Sequence, residues 1–349
     1  MLPGPIPPSL FSGGYSLTRS VEILLALALA APVLGAAPAH AQSFNSAAGI
    51  WTLQDENASI SLTGRTDRYY VNGLHVGWTS PAGDVPAWLS GFGHALLGPG
   101  DERVSLGLLQ QLYTPADTLR INPNPYDEPY AGYLVAQFGL IADTATTRTM
   151  ATLDAGVIGK DAGGEIVQND FHSLIGQGAT HGWAYQLPTE PAVDLYAARI
   201  WRAPLGHLAG LETDALPQLS GMVGLTQDYL QPGLALRIGQ GLNEDFGAPL
   251  LQPSSGGGDA FTTAGPTAWY IYAGAYGRAV GHDETLQGAD FHTSRDVDAY
   301  PGVGSGALGA AVIWRGFRFS YTEIFQTRRF YGQPGQFHEF GSFAVSGQF

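Results

Sequence analysis

Apolar side chains alternate with small or polar ones along much of the chain. Between Trp314 and Gln326, aromatic residues occupy positions 317, 319, 321 and 325, and glycine, arginine, serine and threonine occupy positions 316, 318, 320 and 322. In the last segment, Phe343, Val345 and Phe349 alternate in the same way with alanine, serine and glutamine. Because successive side chains of a β-strand point to opposite faces, each segment predicts a strand with one apolar face.

The same alternation at Tyr70–Trp78 places Leu74 on one face and Val71 on the opposite, inward face. Further candidate strands lie at 104–112, 132–141, 148–158, 192–202, 218–226, 234–240 and 268–278. Together they predict an all-β fold, a transmembrane antiparallel β-barrel of about 12 strands, since bacterial barrels use even strand numbers. Soluble β-sandwiches and periplasmic barrels also alternate, but the aromatic rows, the few charges and the terminal Phe349 favour a membrane barrel.

One segment breaks this rhythm and predicts a short helix. In Gly164–Gly176 the apolar residues follow a helical spacing, and on a helix Glu165, Gln168 and His172 share one face, with Asn169 beside His172. We treat this polar helix face with its histidine, inserted in a barrel sequence, as a candidate functional site.

The first 41 residues predict a cleavable signal peptide. Arg19 precedes the apolar run Ile23–Ala31, and small residues then lead to Ala39-His40-Ala41, which resembles a cleavage site. The run is too short for the ~18 apolar residues expected of a spanning helix. We therefore divide the chain into a signal peptide, 1–41, and an outer-membrane barrel domain, 42–349, in which the long segments Gly241–Gly265 and Ala279–Gly302 are expected to be extracellular loops.

Composition narrows the function classes. The formal net charge of −14 is unfavourable for binding nucleic acid, because phosphates require a basic face. The chain has no cysteine, which excludes disulfides, cysteine nucleophiles and cysteine-ligated zinc. Charged residues make up 13% of the chain, and the aromatic content of 11% argues against disorder. The sequence contains no Gly-x-Ser-x-Gly motif, so nothing in it indicates a serine hydrolase of that type.

Four blocks in order carry a resemblance to a known family. They are Glu56–Ala58 with Thr66–Leu74, Tyr113–Pro115 with Asp127–Gly132, Gly164–Pro191, and Gly241–Asn243 with Gly281–Asp283 and Phe291–Val297. On these blocks the sequence resembles the outer-membrane lipid A 3′-O-deacylase family over nearly the whole mature chain. The resemblance implies a twelve-stranded barrel that hydrolyses the 3′ acyl ester of lipid A at the outer rim, between the barrel wall and the short helix.

The resemblance also implies roles for particular residues. His172 matches the family's general base, and Asn57 matches the asparagine of its Asn-Asp pair. A neutral imidazole suits proton abstraction from water near neutral pH. Calcium is implied as the cofactor that stabilises the oxyanion, with Asn57 and Glu56 as candidate metal ligands. Gln111 and Gln168 are candidate substrate-binding residues.

Several positions depart from the family pattern. Ala58 stands in place of the aspartate of the Asn-Asp pair, Val71 in place of a site threonine, and Glu128 in place of an arginine. Gln110 and Gln111 stand where the family carries basic residues. These departures weaken the expected calcium binding and the expected recognition of lipid A phosphates.

Three hypotheses follow. The first is an outer-membrane lipid A deacylase of a Gram-negative bacterium, a monomer whose partners are lipopolysaccharide and the barrel-assembly machinery. The second is a catalytically degenerate barrel that serves as a structural or lipid-binding protein. The third is a small porin, for which ion conductance in a planar bilayer is the discriminating measurement, since barrels of the resembled family are expected to be largely plugged by inward side chains.

Overall fold

The computed structural model describes residues 48–64, 66–252 and 258–349. The predicted signal peptide lies outside these ranges. Thirteen antiparallel strands form the sheet: β1 Ile50–Asn57, β2 Tyr69–Thr79, β3 Asp101–Thr114, β4 Ala131–Asp143, β5 Thr147–Ile158, β6 Glu190–Trp201, β7 Ala203–Leu208, β8 Leu211–Gly224, β9 Gln227–Gln240, β10 Thr267–Asp283, β11 Gly302–Trp314, β12 Phe317–Thr327 and β13 Phe337–Gln348.

The sheet closes into a barrel. Strand β1 pairs with both β2 and β13, and β6 pairs with β8. Strand β7 pairs only with β8, beyond the end of β6. The wall therefore has twelve strands with β7 as an extension, which confirms the predicted barrel. The end where β1 begins and β13 finishes is called the terminal end below, and the opposite end is called the site end.

Helices are few. They are α1 Ala87–Leu97, α2 Gly164–Leu174 and α3 Glu284–Gln287, with 3-10 turns at Ala58–Ile60, Lys160–Ala162, Trp183–Tyr185 and Leu242–Glu244. Helix α2 confirms the predicted helix, although Glu165 is exposed while Gln168 and His172 are buried. No helix in the described ranges is long and apolar enough to cross a membrane.

The two faces of the wall have opposite polarity. Leu53, Phe319 and Phe343 on the outer face are exposed, whereas Gln54 and Arg318 on the inner face are buried. A soluble protein would place these faces the other way round. An apolar outer band around a polar interior is the arrangement of a barrel surrounded by lipid.

The described residues between β9 and β10 pack inside the barrel. Leu251 and Gln252 donate backbone N–H bonds to the two carboxylate oxygens of Glu56 at 2.7 and 3.0 Å. Phe261 is buried in the interior packing. For its described residues, the expectation that Gly241–Gly265 forms an external loop is therefore wrong: these residues start at the terminal end and fold inward to satisfy polar groups of the wall.

The filled interior bears on the porin hypothesis. Two interior cavities between described residues have volumes of only about 20 and 10 Å³. Cavities of this size hold single water molecules rather than an ion pathway. The packing of the described interior therefore argues against a porin.

The carboxyl groups of Glu284 and Glu190, at the site end, make the stability of the folded protein depend on pH. Burial, together with the hydrogen bond and charge of Glu190, raises the pKa of the Glu284 carboxyl from 4.5 to about 9. The folded protein thus keeps a proton that the unfolded chain releases. This contribution is complete below about pH 4.5 and is lost as the pH rises towards 9.

We expect the melting temperature of the wild type to fall between pH 5 and pH 9 because unfolding releases this proton. The Glu284→Gln variant, which mimics the protonated acid, is expected to show a weaker decline. Differential scanning calorimetry across the pH range measures this, with the exposed Glu165→Gln as the control. Parallel pH curves for Glu284→Gln and the wild type would contradict the assignment.

Candidate active site

A cavity of about 560 Å³ lies between α2 and the outer face of strands β1 to β3. It combines polar side chains with an apolar wall. Its lining includes Asp55, Asn57, Ser59, Thr66, Asp67, Val71, Asn72, Leu74, Leu112, Val167, Gln168, Phe171, His172, Ile175 and Gln177. Because Leu74 and Phe171 are exposed, the cavity opens sideways from the wall rather than into the barrel.

A β-bulge in β2 shapes the cavity floor. Tyr70 pairs with Tyr113 and Asn72 pairs with Leu112, so Val71 has no partner in the register. Tyr70 points inward to Glu56, while Val71 and Asn72 both line the cavity. The prediction that Val71 points inward is therefore wrong, because simple alternation does not account for the extra residue of a bulge.

Helix α2 is pressed closely against the wall. A Cβ at Gly164 would lie 2.6 Å from the Trp183 ring and 3.0 Å from the Leu112 side chain, so only glycine permits this approach. Gln168 then links the helix to its surroundings: its Oε1 accepts from Trp183 Nε1 at 2.8 Å, and its Nε2 donates to Asp67 Oδ1 at 3.0 Å. These contacts fix the rotation of α2 about its axis.

His172 lies one turn further along the same face of α2, and only 7% of its surface is exposed. Its Nδ1 lies 2.9 Å from the Gly178 carbonyl oxygen, which can only accept a hydrogen bond. Nδ1 therefore carries the proton, and in the neutral ring Nε2 has the free lone pair. Nε2 lies 3.7 Å from Asp67 Oδ2, a distance that suits a charge interaction rather than a direct hydrogen bond.

Asn57 occupies the opposite side of the cavity in a fixed orientation. Its Oδ1 accepts from the Ser59 N–H at 2.7 Å and from the Ser59 hydroxyl at 2.6 Å. The Nδ2 amide is consequently the end of the side chain that remains to donate to a ligand. Nearby, Asn72 Nδ2 donates to Asp55 Oδ1 at 2.7 Å.

The structure brings three of the predicted site residues together: His172, Asn57 and Gln168 all line the cavity. Glu56 and Gln111 do not. They belong to the inner face of the wall, where Glu56 is fully buried among backbone donors and Gln111 accepts from the Tyr113 hydroxyl. This placement removes Glu56 as a metal ligand and Gln111 as a substrate contact in the cavity.

The three positions that depart from the family pattern lie in different environments. Ala58 is completely buried in the interior cluster that includes Tyr70 and Phe340. Val71 contributes an apolar surface to the cavity. Glu128 lies away from the cavity and accepts from Arg329 Nη1 at 2.5 Å, so it is part of a buried ion pair rather than of a phosphate-binding position.

The calcium ligands expected from the sequence, Asn57 and Glu56, do not form a metal site in the cavity. Calcium takes six to eight oxygen ligands. Ala58 offers no side-chain oxygen, and Asn57 Oδ1 and Asp55 Oδ1 already accept hydrogen bonds. Within the part of the chain that the structure describes, no group of three or more His, Cys, Asp or Glu residues is placed to hold a metal ion.

Asp67 is the main site residue that sequence reasoning missed. It lies in the first family block, but its role depends on contacts with Gln168 and His172, more than a hundred positions away in the chain. Asp55 and Asn72 were missed for the same reason. Only the register of β1 with β2, which pairs Asn57 with Asn72 and Asp55 with Leu74, brings them to one cavity.

Comparisons with known proteins agree with the fold. The sequence model of a family described as outer membrane protein LpxR matches residues 23–349. Among solved structures, LpxR from Salmonella typhimurium is 20% identical with a TM-score of 0.71, covering 86% of this chain and 100% of that chain. The β domain of the Bordetella autotransporter BrkA is 14% identical, with coverages of 87% and 100%, and its TM-score of 0.39 is too low to support an argument. No curated protein sequence matches the chain.

Proposed function

Because the chain belongs to the family of the outer membrane protein LpxR, we propose that it is an outer-membrane hydrolase that removes the 3′ acyl chain of lipid A. The observation that carries the proposal is the position of His172. Its Nε2 lone pair faces a cavity of about 560 Å³ on the outer surface of the barrel wall. A catalytic base placed on this surface suits an ester that arrives from within the membrane.

The walls of the cavity suit a lipid substrate. Val71, Leu74 and Leu112 line the barrel side, and Phe171 and Ile175 line the helix side. These apolar surfaces favour an acyl chain, while Asn57, Asp67 and His172 supply polar groups for the ester. We propose that the site end is the extracellular end, next to the leaflet that holds lipid A, and the long segment 159–189, which carries α2, supports this orientation.

The reaction requires one proton to move twice. His172 Nε2 accepts a proton from water as the water oxygen attacks the ester carbonyl carbon. The tetrahedral intermediate then collapses, the bond to the sugar oxygen breaks, and the same proton passes from His172 to that oxygen. The products are a free fatty acid and a sugar hydroxyl group.

Neighbouring groups support both charges that develop. The Asp67 carboxylate, 3.7 Å from Nε2, stabilises the imidazolium that forms when His172 accepts the proton. The oriented Nδ2 amide of Asn57 donates to the oxyanion of the intermediate. One such donor is typically worth about a hundredfold to a thousandfold in rate. No step of this mechanism requires a metal ion.

We expect the Asp67→Asn variant to lose about tenfold or more in kcat, because an uncharged amide stabilises the imidazolium less well. Fatty-acid release from lipid A in detergent micelles measures kcat. Release by Asp67→Asn at the wild-type rate would contradict this role of Asp67. Asp170→Asn is the matched control, because it removes a negative charge from an exposed position of α2.

A non-catalytic barrel is the second candidate function, favoured by Val71 and Ala58, which replace polar residues of the family pattern. In that case the cavity binds a lipid without hydrolysing it. Comparison of lipid A from cells with and without the gene, by mass spectrometry, distinguishes the two. Identical lipid A from both strains, with the protein present in the outer membrane, would favour binding over hydrolysis.

Two further properties belong to the proposal. We propose that the chain is a monomer, since its barrel is closed by its own strands. We also propose that its aromatic C-terminal strand β13 is recognised by the barrel-assembly machinery during insertion.

A further inference from the structure

We propose that α1 is an interfacial anchor that holds the terminal end of the barrel at the membrane surface, with one flank inserted among lipid acyl chains. This helix lies far from the His172 cavity, at the other end of the wall. The inference goes beyond the proposed hydrolysis and does not depend on it.

Helix α1 packs on the outside of the barrel wall. Leu89 and Leu97 are buried in one cluster with Leu140 and Ala142 of β4. In β4 these two residues alternate with Ile141, which faces the interior, so Leu140 and Ala142 belong to the outer face. Gly93 allows the close approach, because a Cβ there would lie 2.5 Å from Glu102 Oε1.

The strand register identifies the outward-facing row of wall residues that lies beneath α1. Val104, Leu140 and Ala151 are neighbours across β3, β4 and β5, and all three belong to the cluster that contains Leu89 and Leu97. Two residues further along each strand, towards the site end, lies the row Leu106, Phe138 and Leu153. The side chains of this second row, called the bare row below, are exposed, with exposed fractions of 48, 40 and 45%.

One flank of α1 is apolar and exposed. Trp88, Phe92 and Leu96 follow one another at a spacing of four, which places them in a single stripe along the helix. Their exposed fractions are 77, 57 and 54%, values that are unfavourable for such side chains in water. A stripe of this kind, next to a buried face, is typical of a helix that lies in a membrane interface.

The other flank is polar and faces the strand ends. His94 Nδ1 lies 2.9 Å from the Ser90 carbonyl oxygen and 3.1 Å from Glu102 Oε1. Glu102 is the second residue of β3, at the terminal end of the wall. Because His94 points to the strand ends, the opposite flank with Trp88 and Phe92 points along the wall, towards the bare row.

Lipid acyl chains are the occupant of the apolar flank of α1, because this flank continues an exposed apolar part of the barrel wall. The stripe of α1 and the row Leu106, Phe138 and Leu153 together form one exposed apolar surface on the outer face of a membrane barrel. The row belongs to the band that lipid covers. The same acyl chains therefore reach α1, and the polar flank marks the level at which the lipid headgroups and water begin.

The absence of cysteine allows a direct test with single labels. Phe92→Cys and, on the polar flank, Ser90→Cys are each labelled with a nitroxide in the full-length protein, reconstituted in phosphatidylethanolamine–phosphatidylglycerol vesicles. Heat-modifiable migration on gels confirms that each variant is folded. Collision of the label with oxygen, which enters the bilayer, is compared with collision with a water-soluble nickel complex by electron paramagnetic resonance.

The proposal predicts that the ratio of oxygen to nickel collisions is several-fold higher at Phe92→Cys than at Ser90→Cys. Equal access of nickel to both labels would overturn the proposal, because α1 would then lie in water. Poor access of both reagents to Phe92→Cys would also overturn it, since the stripe would be covered by a second copy of the chain. Neither result would affect the His172 chemistry.

Discussion

Replacement of His172 by alanine is expected to lower the rate of lipid A deacylation by about a hundredfold to ten-thousandfold, the range typical for loss of a general base. The expectation rests on the hydrogen bond from Nδ1 to the Gly178 carbonyl, which leaves Nε2 as the proton acceptor in the cavity. The barrel itself is expected to remain folded, because His172 lies on an outer helix and not in the interior packing.

The measurement is a time course of fatty-acid release from lipid A in detergent micelles. Ser173→Ala is the matched control, since Ser173 is the next residue of α2 and is exposed. Its rate is expected to stay near that of the wild type. Deacylation by His172→Ala at the wild-type rate would remove His172 from the mechanism.

Replacement of Asp245 by alanine is expected to destabilise the barrel by about 3–5 kcal/mol, the usual cost of breaking a buried ion pair. Asp245 accepts from Arg237 Nη1 at 2.6 Å, from the Tyr270 hydroxyl at 2.7 Å and from Arg318 Nη1 at 3.4 Å. All four side chains are buried. Arg237 keeps a bidentate partner in Asp214, but Arg318 would lose its carboxylate.

Urea unfolding of the protein in detergent micelles measures this cost from the shift of the transition midpoint. Asp84→Ala is the control, because Asp84 is exposed in the loop before α1. Asp245→Asn is expected to lose less than Asp245→Ala, since the amide oxygen still accepts hydrogen bonds. A loss below about 1 kcal/mol for Asp245→Ala would show that the interior network is not a main source of stability.

The sequence was sufficient for the parts of the structure that depend on local periodicity. Phe317, Phe319 and Phe343 lie on the lipid-facing side of the wall, as their alternation with serine and glycine predicts. Helix α2 forms where the apolar spacing changes from two to that of a helix. These features arise from the geometry of single strands and helices, which a sequence pattern records directly.

The parts that sequence reasoning missed depend on register and long-range contacts. The bulge at Val71 exists only in the pairing of β2 with β3, and it turns an expected inward residue into a cavity wall. The inward fold of the segment after Gly241 follows from its bonds to Glu56 and not from its composition. Asp67 likewise becomes part of the site only through α2.

Which polar groups form the candidate site is likewise evident only from the three-dimensional structure. Ala58 and Val71 read as the loss of two polar groups in a sequence comparison. In the structure, Ala58 is packed in the interior, and the polar side of the cavity is formed by Asn57, Asp67 and His172. The remaining groups are those of a proton-transfer site.

The most direct test of this account is mass spectrometry of lipid A after incubation with the purified, refolded protein, both with calcium and with a chelator. The account predicts loss of the mass of the 3′ acyl substituent in both conditions with the wild type, and no loss with His172→Ala. Unchanged lipid A in both conditions, from wild-type protein that migrates as a folded barrel, would contradict the proposed hydrolysis.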